Sequence, residues 1–224
     1  MTTNDNTRDD RRDDLDESLV DPAAALALIR QQQDALDRDQ VGRIPVILLV
    51  WGIAWFVGFA ALWSGYAGGN PWFQIPLGQA GITFAVAMIA AAGISTWIAM
   101  RLNRGVSGPS NFSGAVYGIG WPIAAFSAYL IGVALAVNGM DRELQSLFFP
   151  AIFALVTGTM YLMGAAVWRS VDQLVLGIII LIAGTAAPFF GAPTNNIVMA
   201  LLGGGSFLVA GLVMHLNLRR GRRA

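Results

Sequence analysis

Cysteine and lysine are both absent from this 224-residue chain, and histidine occurs once, at His215. Without cysteine the chain cannot form disulfides, iron–sulfur clusters or thiolate zinc sites. Without lysine it has neither a Schiff-base lysine nor a P-loop lysine. A single histidine cannot build a multi-histidine metal centre. We therefore expect a protein that is not an enzyme and that holds no metal or cofactor.

Charge is also scarce, and long apolar runs take its place. Charged residues make up 12% of the chain and hydrophobic residues 55%, with a mean hydropathy of +0.58. Six apolar stretches cover residues 44–66, 78–100, 112–137, 146–168, 173–191 and 195–217. Each is close to the ~20 residues that cross the hydrocarbon of a bilayer, and none has a polar face. We predict an all-α integral membrane protein, a six-helix bundle in the lipid bilayer whose transmembrane domain covers residues 44–218.

The N-terminal region differs from the rest of the chain in charge. Residues 1–43 hold eleven of the fourteen acidic side chains. Residues 1–20 are polar and acidic, without the apolar core of a signal peptide, and predict a disordered tail. Asp21 and Pro22 suit a helix start, as N-cap and first helical residue. We predict a short cytoplasmic amphipathic helix over residues 21–40, which either packs as a surface helix or docks a partner protein.

Arginines flank the six stretches unevenly. One side carries Arg142 alone, between two acidic residues. The other side carries Arg43, Arg101, Arg104, Arg169, Arg219, Arg220, Arg222 and Arg223. By the positive-inside rule we expect a multi-pass protein of the plasma membrane with both termini in the cytoplasm, ending in a basic tail over residues 219–224. The basic residues form no nucleic-acid surface, so we expect no nucleic-acid partner.

The odd and even stretches share different patterns. Residues 51–55 read WGIAW and residues 117–121 read YGIGW. The even stretches place a glycine four residues before a ring, at Gly93, Gly164 and Gly211. Such small residues allow helices to approach closely. These matches predict three tandem helix hairpins, with the three glycines at equivalent depths and in contact with neighbouring helices.

The fifth and sixth stretches contain two further signals. Pro188 predicts a break near the outer end of the fifth stretch. The run Gly203-Gly204-Gly205-Ser206 resembles a phosphate loop, but it lacks a lysine and lies inside an apolar run. It therefore predicts close approach between helices.

The third stretch carries the strongest candidate for a functional site. Pro122 cannot donate a hydrogen bond to the Gly118 carbonyl, so a kink would free that carbonyl for another partner. Tyr117, Trp121 and Ser127 share roughly one face with it. Irregular backbone survives in a membrane only where protein or a water-lined cavity covers it. We predict that Tyr117, Gly118, Trp121, Pro122 and Ser127 line a solute pathway, with a kinked packing helix as the alternative.

Four segments carry a family resemblance: WGIAWFVGF at 51–59, YGIGW at 117–121, GAAVWR at 164–169 and GGGSFLVAGLV at 203–213. With these, the chain resembles an uncharacterised family of six-span membrane proteins from actinobacteria that carries the label "transporter". It is more faintly similar to the acetate/succinate uptake family, whose third helix has a comparable aromatic-glycine-x-x-Trp stretch. That family's hallmark NPAPLG before the first helix is missing here, so carboxylate specificity does not follow. Both resemblances imply a six-span transport protein.

Two functions remain open at this point. The first is a small integral membrane transporter or channel for an unidentified small solute, without an ATP site of its own. The second is a non-transporting accessory or regulatory membrane protein whose cytoplasmic tail binds a partner, for example an export complex. The expected partners are the lipid bilayer, a small solute, and either a second copy of the chain or a partner membrane protein.

Overall fold

The computed structural model describes residues 22–102 and 109–221, so the tail predicted over residues 1–20 lies outside it. The helices are α1 (Pro22–Gly65), α2 (Leu77–Leu102), α3 (Pro109–Val137), α4 (Arg142–Trp168), α5 (Val171–Ala186), α6 (Thr194–Val198) and α7 (Gly205–Gly221). A 3-10 turn at Ala187–Phe190 follows α5, and a π-helical turn at Met199–Gly204 joins α6 to α7. The described residues contain no strand, which confirms the all-α prediction.

Six spans are long and apolar enough to cross a membrane. They are Gly42–Gly65, Leu77–Arg101, Phe112–Val137, Arg142–Trp168, Val171–Phe190 and Thr194–Arg219, here called spans 1 to 6. The prediction of six spans is confirmed. Span 4 begins at Arg142 rather than at residue 146, because the Asp141 carboxylate caps the helix by accepting the Leu144 N–H at 2.8 Å.

The chain divides after Gly42 into two units. In the first unit the helix begins at Pro22, as the Asp21-Pro22 pair predicts. Leu26, which belongs to the predicted apolar stripe, is exposed. The cytoplasmic position of this helix remains a prediction. The second unit holds the bundle.

Spans 1 and 6 meet at the centre of the bundle through glycines. A Cβ atom added at Gly204 would lie 2.6 Å from the backbone nitrogen of Phe56, and one at Gly211 would lie 2.9 Å from the Leu49 side chain. Only hydrogen fits at these two positions. The close approach predicted for the glycine run is therefore confirmed at Gly204.

Spans 4 and 5 form a tight antiparallel pair. A Cβ atom at Gly158 would lie 2.9 Å from the Gly177 carbonyl oxygen, so the two backbones nearly touch. The connection between the spans is short. Arg169 ends α4 in the left-handed conformation, at φ 51°, and the Ser170 hydroxyl caps α5 by accepting the Gln173 N–H at 3.3 Å.

Spans 2 and 3 are peripheral. Only 11% of the most apolar window of each is buried, against 28–39% for the other four. Span 2 packs on span 1, and span 3 packs on span 4. The predicted helix contacts are confirmed for Gly164 and Gly211 but wrong for Gly93, which has nothing within 4 Å of its Cβ position because span 2 has span 1 on one side only. Equivalence of the three hairpins remains a prediction.

Candidate functional site

The five residues predicted to line a pathway separate into two groups. Tyr117 and Trp121 are partly buried against span 4. Gly118, Pro122 and Ser127 are exposed on the outer face of α3, and nothing lies within 4 Å of a Cβ at Gly118. The helix continues through Pro122. The structure thus brings two of the five together, and the lining role itself remains a prediction.

Tyr117 and Trp121 belong to a continuous row of eight aromatic rings. Neighbouring rings meet edge to face, with centroids 4.6–6.0 Å apart. In order, the row is Trp168, Tyr117, Trp121, Tyr161, Phe207, Trp55, Phe59 and Phe84. We call it the aromatic row. It crosses five of the six spans, and each edge-to-face pair contributes ~0.5–1.5 kcal/mol beyond its buried area.

The middle of the aromatic row lies in the buried core of the bundle. Trp55, Phe59 and Phe207 are buried, and the core around them is aliphatic, with Met199 and Ile180 fully enclosed. Sequence reasoning singled out Trp55, Tyr117 and Trp121 but missed Phe207. Phe207 contacts Trp55 and Tyr161 because span 6 lies beside spans 1 and 4. The residues around Phe207 in the sequence do not indicate which spans are neighbours.

A polar notch lies beside one end of the aromatic row. The Gln173 side-chain oxygen is buried without a hydrogen-bond partner. It lies so close to Gly164 that a Cβ atom added to this glycine would overlap it. The Tyr117 hydroxyl lies 3.0 Å from the same Cβ position. A buried acceptor without a donor is rare, and water or a ligand commonly satisfies it. Sequence reasoning missed Gln173, which stands at the polar start of span 5.

Two asparagines are buried at the opposite end of the bundle, where span 6 begins. Asn195 and Asn196 are 0% and 1% exposed. The Asn195 amide donates to the Ser146 carbonyl of span 4 at 2.8 Å, and the Asn196 amide donates to the Asn195 side-chain oxygen at 3.3 Å. These bonds tie span 6 to span 4 and satisfy amides that would otherwise be costly to bury. Sequence reasoning also missed this pair.

The backbone where spans 5 and 6 meet is irregular at residues 187–193 and again at 199–204, on either side of the short helix α6. The 3-10 turn at Ala187–Phe190 confirms the break predicted at Pro188. Gly191 follows at φ 69°, and the Ala192–Pro193 peptide is cis. In the π-helical turn, the Gly205 N–H donates to the Ala200 carbonyl, five residues back. Such turns are rare and are frequently found at functional sites.

Neither a group of metal ligands among the described residues nor a match to a known protein indicates the function of this site. Within residues 22–102 and 109–221, no three His, Cys, Asp or Glu side chains are placed to hold a metal ion. No protein-family model, curated protein or solved structure matches the chain. The family resemblance of the sequence motifs remains a prediction.

Proposed function

We propose that the chain is a small transporter of the plasma membrane, which moves a small solute by rearranging its sixth span. The observation that carries this proposal is the π-helical turn at Met199–Gly204 inside span 6, packed among spans 1, 4 and 5. A regular helix would satisfy every backbone group at lower cost in lipid. Broken helices at membrane depth are the usual construction of solute sites in transporters.

The polar groups of the bundle support the same proposal by their positions. The Asn195–Ser146 pair lies toward the predicted outer end, and the Gln173–Tyr117 notch lies toward the predicted cytoplasmic end. The buried middle of the aromatic row lies between them. In this proposal the aromatic row is the barrier that closes the path, with Trp121 as a constriction, and movement of span 6 opens it from one end at a time.

Flux in reconstituted vesicles tests the proposal. We expect Asn195→Ala to reduce flux at least tenfold, because it removes the hydrogen bond that positions the broken span. Asn138→Ala is the matched control: its amide donates at 2.7 Å to the Ala134 carbonyl at the end of the preceding helix and joins no two spans. Trp121→Ala should raise flux by widening the constriction. If no member of a broad solute panel crosses with the parent chain, the proposal fails.

The proposed orientation has both termini in the cytoplasm. Because the chain has no cysteine, single cysteines at Gly68 and Asn138 report one end of the bundle and a cysteine at Arg169 reports the other. In intact cells, a membrane-impermeant maleimide should label the first two and leave the third unlabelled. Labelling at position 169 alone would reverse the orientation.

The buried apolar centre of the bundle favours a second candidate. The described spans enclose Trp55, Phe59 and Phe207 in an apolar core, which a non-transporting accessory protein would also need. In that role, the exposed faces of spans 2 and 3 would contact lipid, a second copy or a partner membrane protein. A folded, monodisperse protein without flux for any solute would favour this candidate.

A further inference from the structure

A pocket of about 340 Å³ opens at the predicted outer end of the bundle. Three separate segments build it: Tyr66 and Ala67 after span 1, Arg142, Glu143 and Ser146 at the start of span 4, and the turn at Pro193 before span 6. Its volume lies in the range of sites for small molecules. It shares Ser146 and the Ala192–Pro193 turn with the outer end of the site described above, whereas no residue of the aromatic row lines it.

The walls of the pocket are held by hydrogen bonds. The Tyr66 carbonyl accepts from the Gly69 N–H at 3.1 Å and from the Gln74 amide at 3.3 Å. The Ser146 carbonyl accepts from buried Asn195, and the Pro193 carbonyl accepts from the Asn196 N–H at 3.1 Å. Each of the three segments is therefore held by at least one hydrogen bond, and such preorganisation lowers the entropy lost on binding.

Charge is concentrated at this pocket. In the loop segments 66–76, 138–145 and 187–194 the charged side chains are Asp141, Arg142 and Glu143. Asp141 is engaged as the cap of α4. Arg142 and Glu143 both line the pocket, and neither has an ion-pair partner among the described residues. The lining of the pocket thus includes one residue of each charge, both of them exposed.

We infer that this pocket binds a small zwitterion, with its anionic group on the Arg142 guanidinium and its ammonium group on the Glu143 carboxylate. Arginine pairs well with carboxylates and phosphates because of its planar fork of donors. The Ser146 hydroxyl, which donates to the Glu143 carbonyl at 2.7 Å, keeps lone pairs free for a further contact. The inference rests on the proposed function, because in a transporter this pocket would be the place where the solute first binds.

Binding measured without flux tests this inference. The chain is placed in nanodiscs of phosphatidylglycerol, and tritiated glycine, L-alanine, L-serine and β-alanine are offered in a scintillation proximity assay. Acetate and methylammonium, each carrying one of the two charges, serve as matched probes. We expect at least one zwitterion to bind, at least tenfold more tightly than either single-charge probe. A second arm uses phosphatidylethanolamine, since its headgroup is also a zwitterion, and native mass spectrometry counts the lipid retained.

Variants separate the possible outcomes. Arg142→Gln and Glu143→Gln should each weaken binding at least tenfold, and Ala67→Trp should fill the exposed pocket and abolish binding. Arg219→Gln, at the opposite end, should leave binding unchanged. If the pocket variants lose the retained lipid and the parent chain binds the free amino acids only weakly, the ligand of the pocket is the lipid headgroup. Binding of neither source, or binding unchanged by all three pocket variants, would overturn the inference. Flux without zwitterion binding would overturn the zwitterion inference and leave the transport proposal standing. Zwitterion binding without flux would overturn the transport proposal and leave the inference standing.

Discussion

Spans 2 and 3 are about as apolar as the other four spans, with hydropathies of 1.9 and 1.8 against 1.7–2.2. Nevertheless they lie at the periphery, with 11% of their apolar windows buried, whereas spans 1, 4, 5 and 6 form the centre. Apolarity therefore determines that a helix enters the membrane but not which helices become its neighbours. Gly203, Gly204 and Gly211 of span 6 all face side chains or backbone of span 1, whereas Gly93 of span 2 has nothing within 4 Å of its Cβ position.

The largest expected difference between centre and periphery concerns phenylalanine. Phe207→Ala empties a buried position at the middle of the aromatic row and should destabilise the bundle by about 3 kcal/mol. Phe126→Ala, at a 62% exposed position on span 3, should change stability by less than about 0.5 kcal/mol. The free energy of unfolding in a denaturing-detergent titration measures both. Equal losses would mean that the periphery is covered by protein in the native assembly.

The next difference concerns glycine. Gly204→Ala places a methyl group 2.6 Å from the Phe56 backbone nitrogen, where no side chain can move aside, and should cost about 2 kcal/mol. Gly118→Ala meets nothing within 4 Å and should be neutral or stabilising by up to about 1 kcal/mol through helix propensity. Thermal unfolding midpoints of the two variants should therefore move in opposite directions, or only the first should move. A large loss at Gly118 would place another surface against span 3.

A smaller effect is expected for the buried amides. Asn195→Ala leaves the Ser146 carbonyl of span 4 without its donor and should destabilise the bundle by about 1–2 kcal/mol. Asn138→Ala loses a bond within one exposed helix end, and its effect should stay within about 0.5 kcal/mol. The comparison uses the same titration. Similar values for the two variants would show that the bond between spans 4 and 6 adds nothing to stability.

The smallest effect, and the one of opposite sign, concerns Gln173. Gln173→Leu removes a buried oxygen without a hydrogen-bond partner, so it should be neutral or stabilising by up to about 1 kcal/mol. The exposed Gln74, which donates to the Tyr66 carbonyl, provides the contrast, since Gln74→Leu gains nothing from burial. Destabilisation by Gln173→Leu would reveal a water or a ligand bound to that oxygen in the native protein.

Much of the fold could be predicted because membrane insertion depends on local properties. Length and apolarity predicted six spans, and Pro188 predicted the break after α5. Contacts between distant segments could not be predicted in this way. Gly93, Gly164 and Gly211 occupy the same local pattern, yet Gly93 has no helix beside it.

The candidate site was predicted less well for a similar reason. Tyr117 and Trp121 were singled out by a proline in their own helix, and the structure places them in the aromatic row. Asn195, Asn196 and Gln173 stand near the ends of apolar stretches, where polar residues are expected to meet water. Their burial follows from the packing of spans 4, 5 and 6 around them, which no local pattern encodes.

The contact between Trp55 and Phe207 also has a consequence for biosynthesis. These residues are 152 positions apart in the chain, so at ~5–20 residues per second the ribosome completes Phe207 roughly 8–30 s after Trp55. During that interval span 1 lies in the membrane with the groove for span 6 unfilled, while spans 4 and 5 can already pair. Span 1 is therefore made before the helix that covers Trp55 exists, and a chain that stops before residue 194 would lack that cover altogether.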